Sequence, residues 1–178
     1  EHTMKGQLRL ELPPGVSQKD VTIDEDVVSA TVRIYMPDIR ESYFYDYPMI
    51  GSSDHIEDIK YDVERGEGVI SISTDDVYIT DSIREDDYIY LSFVPPRDRY
   101  DYIVVIDAGH GGKDPGAAAQ GIQEKDIDLA IVKKMMPYFE QNDKIGVFYT
   151  RDDDSSVSLE ERVGLANRLQ ADLFLSIH

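Results

Sequence analysis

Two histidines and one glutamate carry side chains that could bind a divalent metal ion. His110 and His178 offer imidazole nitrogens, and Glu124 offers a carboxylate. Two imidazoles and one carboxylate, with a fourth position left open, are a usual ligand set of catalytic zinc sites. Zinc held in this way lowers the pKa of a bound water to about 7 and polarises a carbonyl group.

Each of these residues also has an ordinary alternative when it is considered alone. The sequence His110-Gly111-Gly112 is usually a turn, and a glutamate at the start of a helix usually complements the helix dipole. The metal-site interpretation therefore depends on whether the fold brings the three side chains together.

The hydrophobic pattern after residue 100 predicts a fold that does so. Strand-like and helix-like segments alternate there, which is typical of a parallel βαβαβ sheet. The predicted elements are a strand over 102–107, a helix over 124–141, a strand over 147–150, a helix from Ser158 and a strand over 172–177. Ligands bind beyond the carboxyl ends of the strands in such sheets. His110 follows the first strand, His178 follows the third, and the helix beginning at Glu124 starts from the same edge.

Local signals add detail to the two predicted helices. Pro137 is expected to kink the first helix or end it early, because proline has no N–H to donate. Ser158 and Glu161 form a capping box at the start of the second helix. The apolar residues of that second helix share one face, and they are Leu159, Val163, Ala166 and Leu169.

The first part of the chain has a different pattern. Apolar and polar residues alternate over 8–12, 30–35, 69–73 and 88–93, which predicts half-buried antiparallel strands and no helix. We therefore expect a small all-β domain over 1–98 and an α/β domain over 99–178, with the stiff segment 95–99 between them. Tyr43, Tyr45 and Tyr47 also alternate. In a strand they would share one face, buried in the core or free to stack on sugar rings.

The composition excludes several classes of protein. The 178 residues include 36 acidic and 18 basic side chains, and the formal net charge is −18. A surface this acidic repels phosphate groups, so no nucleic-acid partner is expected. The chain has no cysteine, which excludes disulfides and thiolate metal sites and fits an exported bacterial protein. No apolar run approaches the roughly 20 residues that a membrane-spanning helix needs.

Several separated motifs within 102–178 resemble the zinc-dependent N-acetylmuramoyl-L-alanine amidases of the amidase_3 type. They lie at 106–117, 121–126, 150–154, 158–162, 166–167 and 171–178. The resemblance implies hydrolysis of the amide that joins N-acetylmuramic acid to L-alanine in peptidoglycan, with His110, Glu124 and His178 as zinc ligands. In these amidases a later glutamate acts as general base. It is expected beyond residue 178, so we expect the chain to be the first, catalytically incomplete part of a longer enzyme.

Residues 1–98 resemble the AMIN-type β domains that precede some of these amidases and hold them at the cell wall. The resemblance depends on position, size and stretches such as 55–61. It implies a location outside the cytoplasm, at the cell wall or envelope. Peptidoglycan is the expected partner, and envelope regulators are the other partners that this domain would bind.

Two residues near the expected site have further candidate roles. Asp107 could accept a hydrogen bond from His110 or another ligand, or it could cap a loop. Arg151 could bind a peptide carboxylate of the substrate, or it could pair with the acidic residues at 152–154. Lys113 and Asp114 are expected to shape the loop after His110.

Two other functions are compatible with the same residues. Two histidines and a glutamate do not by themselves distinguish a muramyl amidase from a zinc peptidase of related architecture. The chain could also be a peptidoglycan-binding module whose amidase portion is inactive. The products released from peptidoglycan distinguish these functions from the amidase.

Overall fold

The computed structural model describes residues 3–139 and 141–178. The chain divides into two compact units, Glu1–Val94 and Pro95–His178. Within the described part of the chain, no helix has the length and apolar character needed to cross a bilayer.

The first unit contains two four-stranded antiparallel sheets. Its strands are β1 (Leu8–Glu11), β2 (Thr22–Asp26), β3 (Thr31–Pro37), β4 (Ile50–Gly51), β5 (Ile56–Glu64), β6 (Glu67–Thr74), β7 (Ile79–Glu85) and β8 (Tyr88–Val94). The strand orders are β4-β1-β8-β7 and β2-β3-β6-β5. The unit also contains a 3₁₀ turn at Gln18–Asp20 and helix α1 (Glu41–Asp46). The prediction of a purely β unit without a helix is therefore wrong.

One face of each sheet packs into a shared core. Buried and half-buried residues alternate along the whole of β3, as the two-residue period of a strand requires. Leu10 and Ile89 of one sheet and Ile34 and Ile70 of the other are fully buried in one hydrophobic cluster. The four stretches whose alternation predicted strands lie on β1, β3, β6 and β8.

The prediction of a shared strand face for Tyr43, Tyr45 and Tyr47 is wrong, because the first two lie in α1 and Tyr47 directly follows it. Residues four apart lie on the same side of a helix, whereas residues two apart do not. The rings of Tyr43 and Tyr47 accordingly stack with centroids 5.0 Å apart. Tyr45 is 90% exposed. The Tyr43 hydroxyl donates to the carbonyl of Glu11, which ties α1 to β1.

The second unit is built on a three-stranded parallel sheet. It contains α2 (Pro96–Arg99), β9 (Tyr102–Ala108), β10 (Ala118–Ala119), β11 (Ile122–Gln123), α3 (Glu124–Phe139), β12 (Ile145–Tyr149), α4 (Leu159–Arg168) and β13 (Leu173–Ile177). The strand order is β12-β9-β13, and both neighbours pair with β9 in parallel. The segment expected to be a stiff connector is largely the short helix α2.

β9 is the central strand, and its sequence explains why. Ile103, Val105, Ile106 and Ala108 are all fully buried, so both faces of the strand are covered. Because β12 and β13 run parallel to β9, the carboxyl ends of all three strands lie at one edge of the sheet.

Helix α3 packs through Val132, which is fully buried with Ile106 and Ala108 of β9. The helix continues through Pro137 and ends two residues later, at Phe139. Met136 and Phe139 pack against the same cluster. This packing stabilises the last turn of α3. It offsets the one intrahelical hydrogen bond that Pro137 cannot form because it has no N–H.

Helix α4 begins with the predicted capping box. The Ser158 side chain accepts from the backbone of Glu161, whose carboxylate accepts from the backbone of Ser158. The buried face differs from the apolar face expected from the sequence. Leu159 and Val163 are exposed, whereas Leu165, Leu169 and the charged Arg162 are buried.

Candidate metal centre

His110, Glu124 and His178 meet at the carboxyl-end edge of the parallel sheet. His110 lies two residues after the end of β9, His178 directly follows β13, and Glu124 is the first residue of α3. Three separate elements of the second unit therefore deliver one candidate ligand each, as the parallel topology predicts.

The three ligand atoms form a nearly equilateral triangle. The distance from His178 Nδ1 to His110 Nε2 is 3.2 Å. The distances from Glu124 Oε1 to His178 Nδ1 and to His110 Nε2 are both 3.3 Å. Zinc bonds of about 2.0–2.1 Å place tetrahedral ligands roughly 3.3–3.4 Å apart. The donor atoms and their spacing therefore fit one zinc ion without rearrangement.

Hydrogen bonds to the far side of two of these groups fix their orientation. His110 Nδ1 lies 2.9 Å from Asp114 Oδ2, so a proton on Nδ1 leaves the Nε2 lone pair directed at the other ligands. This contact raises the pKa of His110. Glu124 Oε2 accepts from the Ala117 N–H at 2.7 Å, which leaves Oε1 facing the imidazoles. That backbone hydrogen bond, with the two histidines, lowers the pKa of Glu124.

Two glycines make room for this arrangement. A Cβ atom on Gly109 would lie 2.5 Å from the His178 ring. A Cβ on Gly116 would lie 2.6 Å from His110 and 2.7 Å from Glu124 Oε2. Gly116 also has a φ of +64°, which side chains rarely adopt. A side chain at either position would therefore displace one of the candidate ligands.

The sequence leaves two roles open for Asp107, as a partner of a ligand or as a loop cap. None of the hydrogen bonds described for this buried carboxylate goes to His110, whose Nδ1 lies beside Asp114. Asp107 accepts instead from Thr150 Oγ1 at 2.6 Å, from Ser176 Oγ and from Arg162. Burial alone would raise the pKa of Asp107, but these three hydrogen bonds outweigh it and hold the pKa below its usual range. Asp107 therefore links the ends of β9, β12 and β13 beneath the site.

Arg151 and Arg162 hold the backbone that carries His110. Arg151 donates to the carbonyls of Ala108, Gly109, Lys125 and Asp153 at 2.6–3.0 Å. Its predicted pairing with the carboxylates at 152–154 is replaced by these backbone contacts, and the side chain is only 4% exposed. The guanidinium of Arg162 donates to the carbonyls of Ala108 and His110 as well as to Asp107.

Asp128 belongs to the same group of side chains, although the sequence analysis did not identify it. One ligand atom from each of His110, Glu124, Asp128 and His178 lies within 4.8 Å of the others. Burial and the nearby charge of Glu124 raise the pKa of the Asp128 carboxyl. The four-residue spacing from Glu124 was the available signal, because residues four apart share a helix face.

Comparison with known proteins identifies the segment that contains this site. Residues 104–178 match the Amidase_3 family, described as N-acetylmuramoyl-L-alanine amidase. We call residues 104–178 the amidase segment.

Two curated relatives resemble the amidase segment. The endolysin of Bacillus phage SPP1 is 51% identical over 76 residues, which are 43% of this chain and 28% of the endolysin. N-acetylmuramoyl-L-alanine amidase AmiC of Escherichia coli O6:H1 (strain CFT073) is 39% identical over 83 residues, which are 46% of this chain and 20% of AmiC. The chain thus spans less than a third of the length of either relative.

A solved structure also resembles the segment. The catalytic domain of CwlV, an N-acetylmuramoyl-L-alanine amidase from Bacillus (Paenibacillus) polymyxa var. colistinus, is 44% identical. The match covers 43% of this chain and 44% of that chain, with a TM-score of 0.42.

An open groove of about 620 Å³ lies beside the triangle of His110, Glu124 and His178. His110 and His178 form part of its wall, and Lys113, Ser156 and Leu159 form other parts. Leu159 is 81% exposed, so an apolar side chain stands free at the groove. The groove is large enough for a small peptide or sugar group to reach the imidazoles.

Proposed function

We propose that this protein is a zinc-dependent N-acetylmuramoyl-L-alanine amidase, which hydrolyses the amide between N-acetylmuramic acid and L-alanine in peptidoglycan. The observation that carries the proposal is the triangle of His110, Glu124 and His178, with sides of 3.2–3.3 Å, inside the amidase segment. The groove beside the triangle supports it, because substrate needs access to the metal ligands.

His110, Glu124 and His178 would hold the zinc ion. When bound, zinc would supply a Lewis acid that activates water and polarises the scissile carbonyl. Asp114 would keep the His110 ring in the orientation that presents Nε2. Arg151 and Arg162 would keep the loop that carries His110 in place. The family resemblance implies a glutamate as general base, and that role is not assigned to Glu124, which would hold the ion.

The activity is tested on peptidoglycan with the protein that includes any residues following His178 in its gene. We expect soluble stem peptides with a free L-alanine amino terminus, identified by mass spectrometry, and no release by the Glu124→Gln variant. Cleavage inside the stem peptide would instead indicate a zinc peptidase. Binding to insoluble peptidoglycan without any release would indicate an inactive binding module.

Replacing Asp114 with asparagine is expected to weaken zinc binding about tenfold, because an outer carboxylate that orients a histidine ligand contributes about 10–100-fold to affinity. The measurement is competition with a zinc chelator at neutral pH. Asp152→Asn, a substitution in an exposed loop, is the control. Equal affinities for the two variants would show that Asp114 does not orient His110.

We also propose that the first unit is an AMIN-like module that holds the enzyme on the cell wall, outside the cytoplasm. Its two antiparallel sheets and its place before the amidase segment support this role. The aromatic side chain of Tyr45 is 90% exposed and available to sugar rings. Cosedimentation of the full chain with insoluble peptidoglycan, lost on replacing Tyr45 with serine, would support the proposal.

A further inference from the structure

Asp128 is a buried acidic residue whose carboxylate accepts no hydrogen bond from a cation in the described part of the chain. It lies on α3, one turn after Glu124, and is only 1% exposed. Neither of its carboxylate oxygens has a hydrogen-bond partner among the described residues. Buried carboxylates in folded proteins are normally paired with a cation or with several donors.

The surroundings of Asp128 raise the free energy of a negative charge on its carboxylate. Glu124 lies on the same face of the helix and carries the same charge, so the two carboxylates repel each other. An uncompensated buried charge costs several kcal/mol. The carboxyl group of Asp128 nonetheless lies beside His110 and His178, with one oxygen within 4.8 Å of their ligand nitrogens. A cation held by the triangle would be close enough to compensate it.

We propose that Asp128 is a fourth protein group of the metal centre, whose carboxylate supplies a second negative charge to the bound ion. This inference rests on the proposed zinc site. Two neutral imidazoles and two carboxylates make the charge of the protein groups −2, which balances a divalent cation. With Glu124 alone, the site would keep a net charge of +1.

The first test compares zinc affinities of the 178-residue protein by chelator competition. Asp128→Asn keeps the shape of the side chain and removes its charge, and we expect a 10–100-fold weaker affinity. Asp126→Asn is the matched control, because Asp126 is an exposed acidic residue on the same helix. Its zinc affinity should equal that of the unsubstituted protein.

The second test is thermal unfolding with and without zinc, which separates a metal role from a packing role. Without metal, Asp128→Asn should unfold at the same or a higher temperature, since it removes a buried acidic group that accepts no hydrogen bond from the described residues. With zinc, it should gain less stability than the unsubstituted protein. A tenfold weaker affinity corresponds to about 1.4 kcal/mol less zinc-induced stabilisation.

Three outcomes would overturn the inference, and they are distinguishable. Native zinc affinity in Asp128→Asn would overturn it and leave the proposed zinc site intact. Lower stability of the metal-free variant with an unchanged zinc-induced gain would assign Asp128 to packing alone. Failure of the unsubstituted protein to bind zinc would overturn the proposed zinc site and this inference together.

Discussion

Zinc affinity is expected to fall by at least about 100-fold when His178 is replaced by alanine. Changes to residues that only orient a ligand cost about 10–100-fold, so loss of a ligand itself should cost more. The remaining pair, His110 and Glu124, would leave two positions of the ion without protein ligands. Glu124→Gln should have a comparable effect, because an amide is a poor zinc ligand. The measurement is chelator competition at neutral pH.

The matched control for this substitution is His55→Ala. His55 is a partly exposed histidine of the first unit, where its Nδ1 lies 2.9 Å from the Tyr78 hydroxyl. We expect its removal to leave zinc affinity unchanged. If both alanine variants bind zinc as tightly as the unsubstituted protein, the triangle of His110, Glu124 and His178 is not the metal site.

Replacing Arg162 with methionine should destabilise the second unit by about 3–5 kcal/mol, as expected when one partner of a buried ion pair is removed. Arg162 is 5% exposed and Asp107 is 3% exposed, and the Arg162 guanidinium donates a hydrogen bond to the Asp107 carboxylate. Methionine would leave that carboxylate without its cation and would remove the guanidinium donor of the His110 and Val157 carbonyls. The measurement is urea unfolding at neutral pH, followed by a signal from the second unit.

Lys133→Met is the control for the loss of one positive charge. Lys133 is exposed on α3, and its substitution should change stability by less than about 0.5 kcal/mol. A loss of similar size for both variants would show that net charge, rather than the buried pair, is responsible. A loss below about 1 kcal/mol for Arg162→Met would contradict the buried-pair interpretation.

The effect of Arg162→Met should also depend on pH. The pKa of Asp107 is held low in the folded protein, so its ionic interactions stabilise the fold above its unfolded pKa of about 3.9. That contribution is lost as the pH falls through the folded pKa. The difference in stability between the unsubstituted protein and Arg162→Met should therefore be largest at neutral pH and shrink in acid.

The convergence of the three candidate ligands could be predicted from local sequence patterns. The apolar run around Val104 and Val105 indicates a strand buried on both faces, and such strands belong to parallel sheets. Parallel strands place their carboxyl ends at one edge, which is where His110 and His178 follow. No long-range contact had to be known for this step.

The tyrosine segment and α4 show where local patterns mislead. Alternation of Tyr43, Tyr45 and Tyr47 is compatible with a strand, yet Tyr43 and Tyr45 lie in α1, and Tyr47, directly after the helix, stacks on Tyr43. The apolar pattern of α4 did not indicate that Arg162 would be buried. Its burial depends on Asp107, a partner 55 residues away. A charged residue becomes a core residue only when such a partner is present.

The sequence by itself determined the types of the candidate ligands, the elements that carry them and the edge at which they meet. Only the tertiary structure decided which carboxylates support them: Asp114 holds His110, Asp107 joins Arg162 beneath the loop, and Asp128 faces the ligand triangle. The physical reason is that hydrogen-bond partners depend on the path of the loop after β9. That path includes left-handed backbone at His110, Gly111 and Gly112, which residue spacing does not reveal.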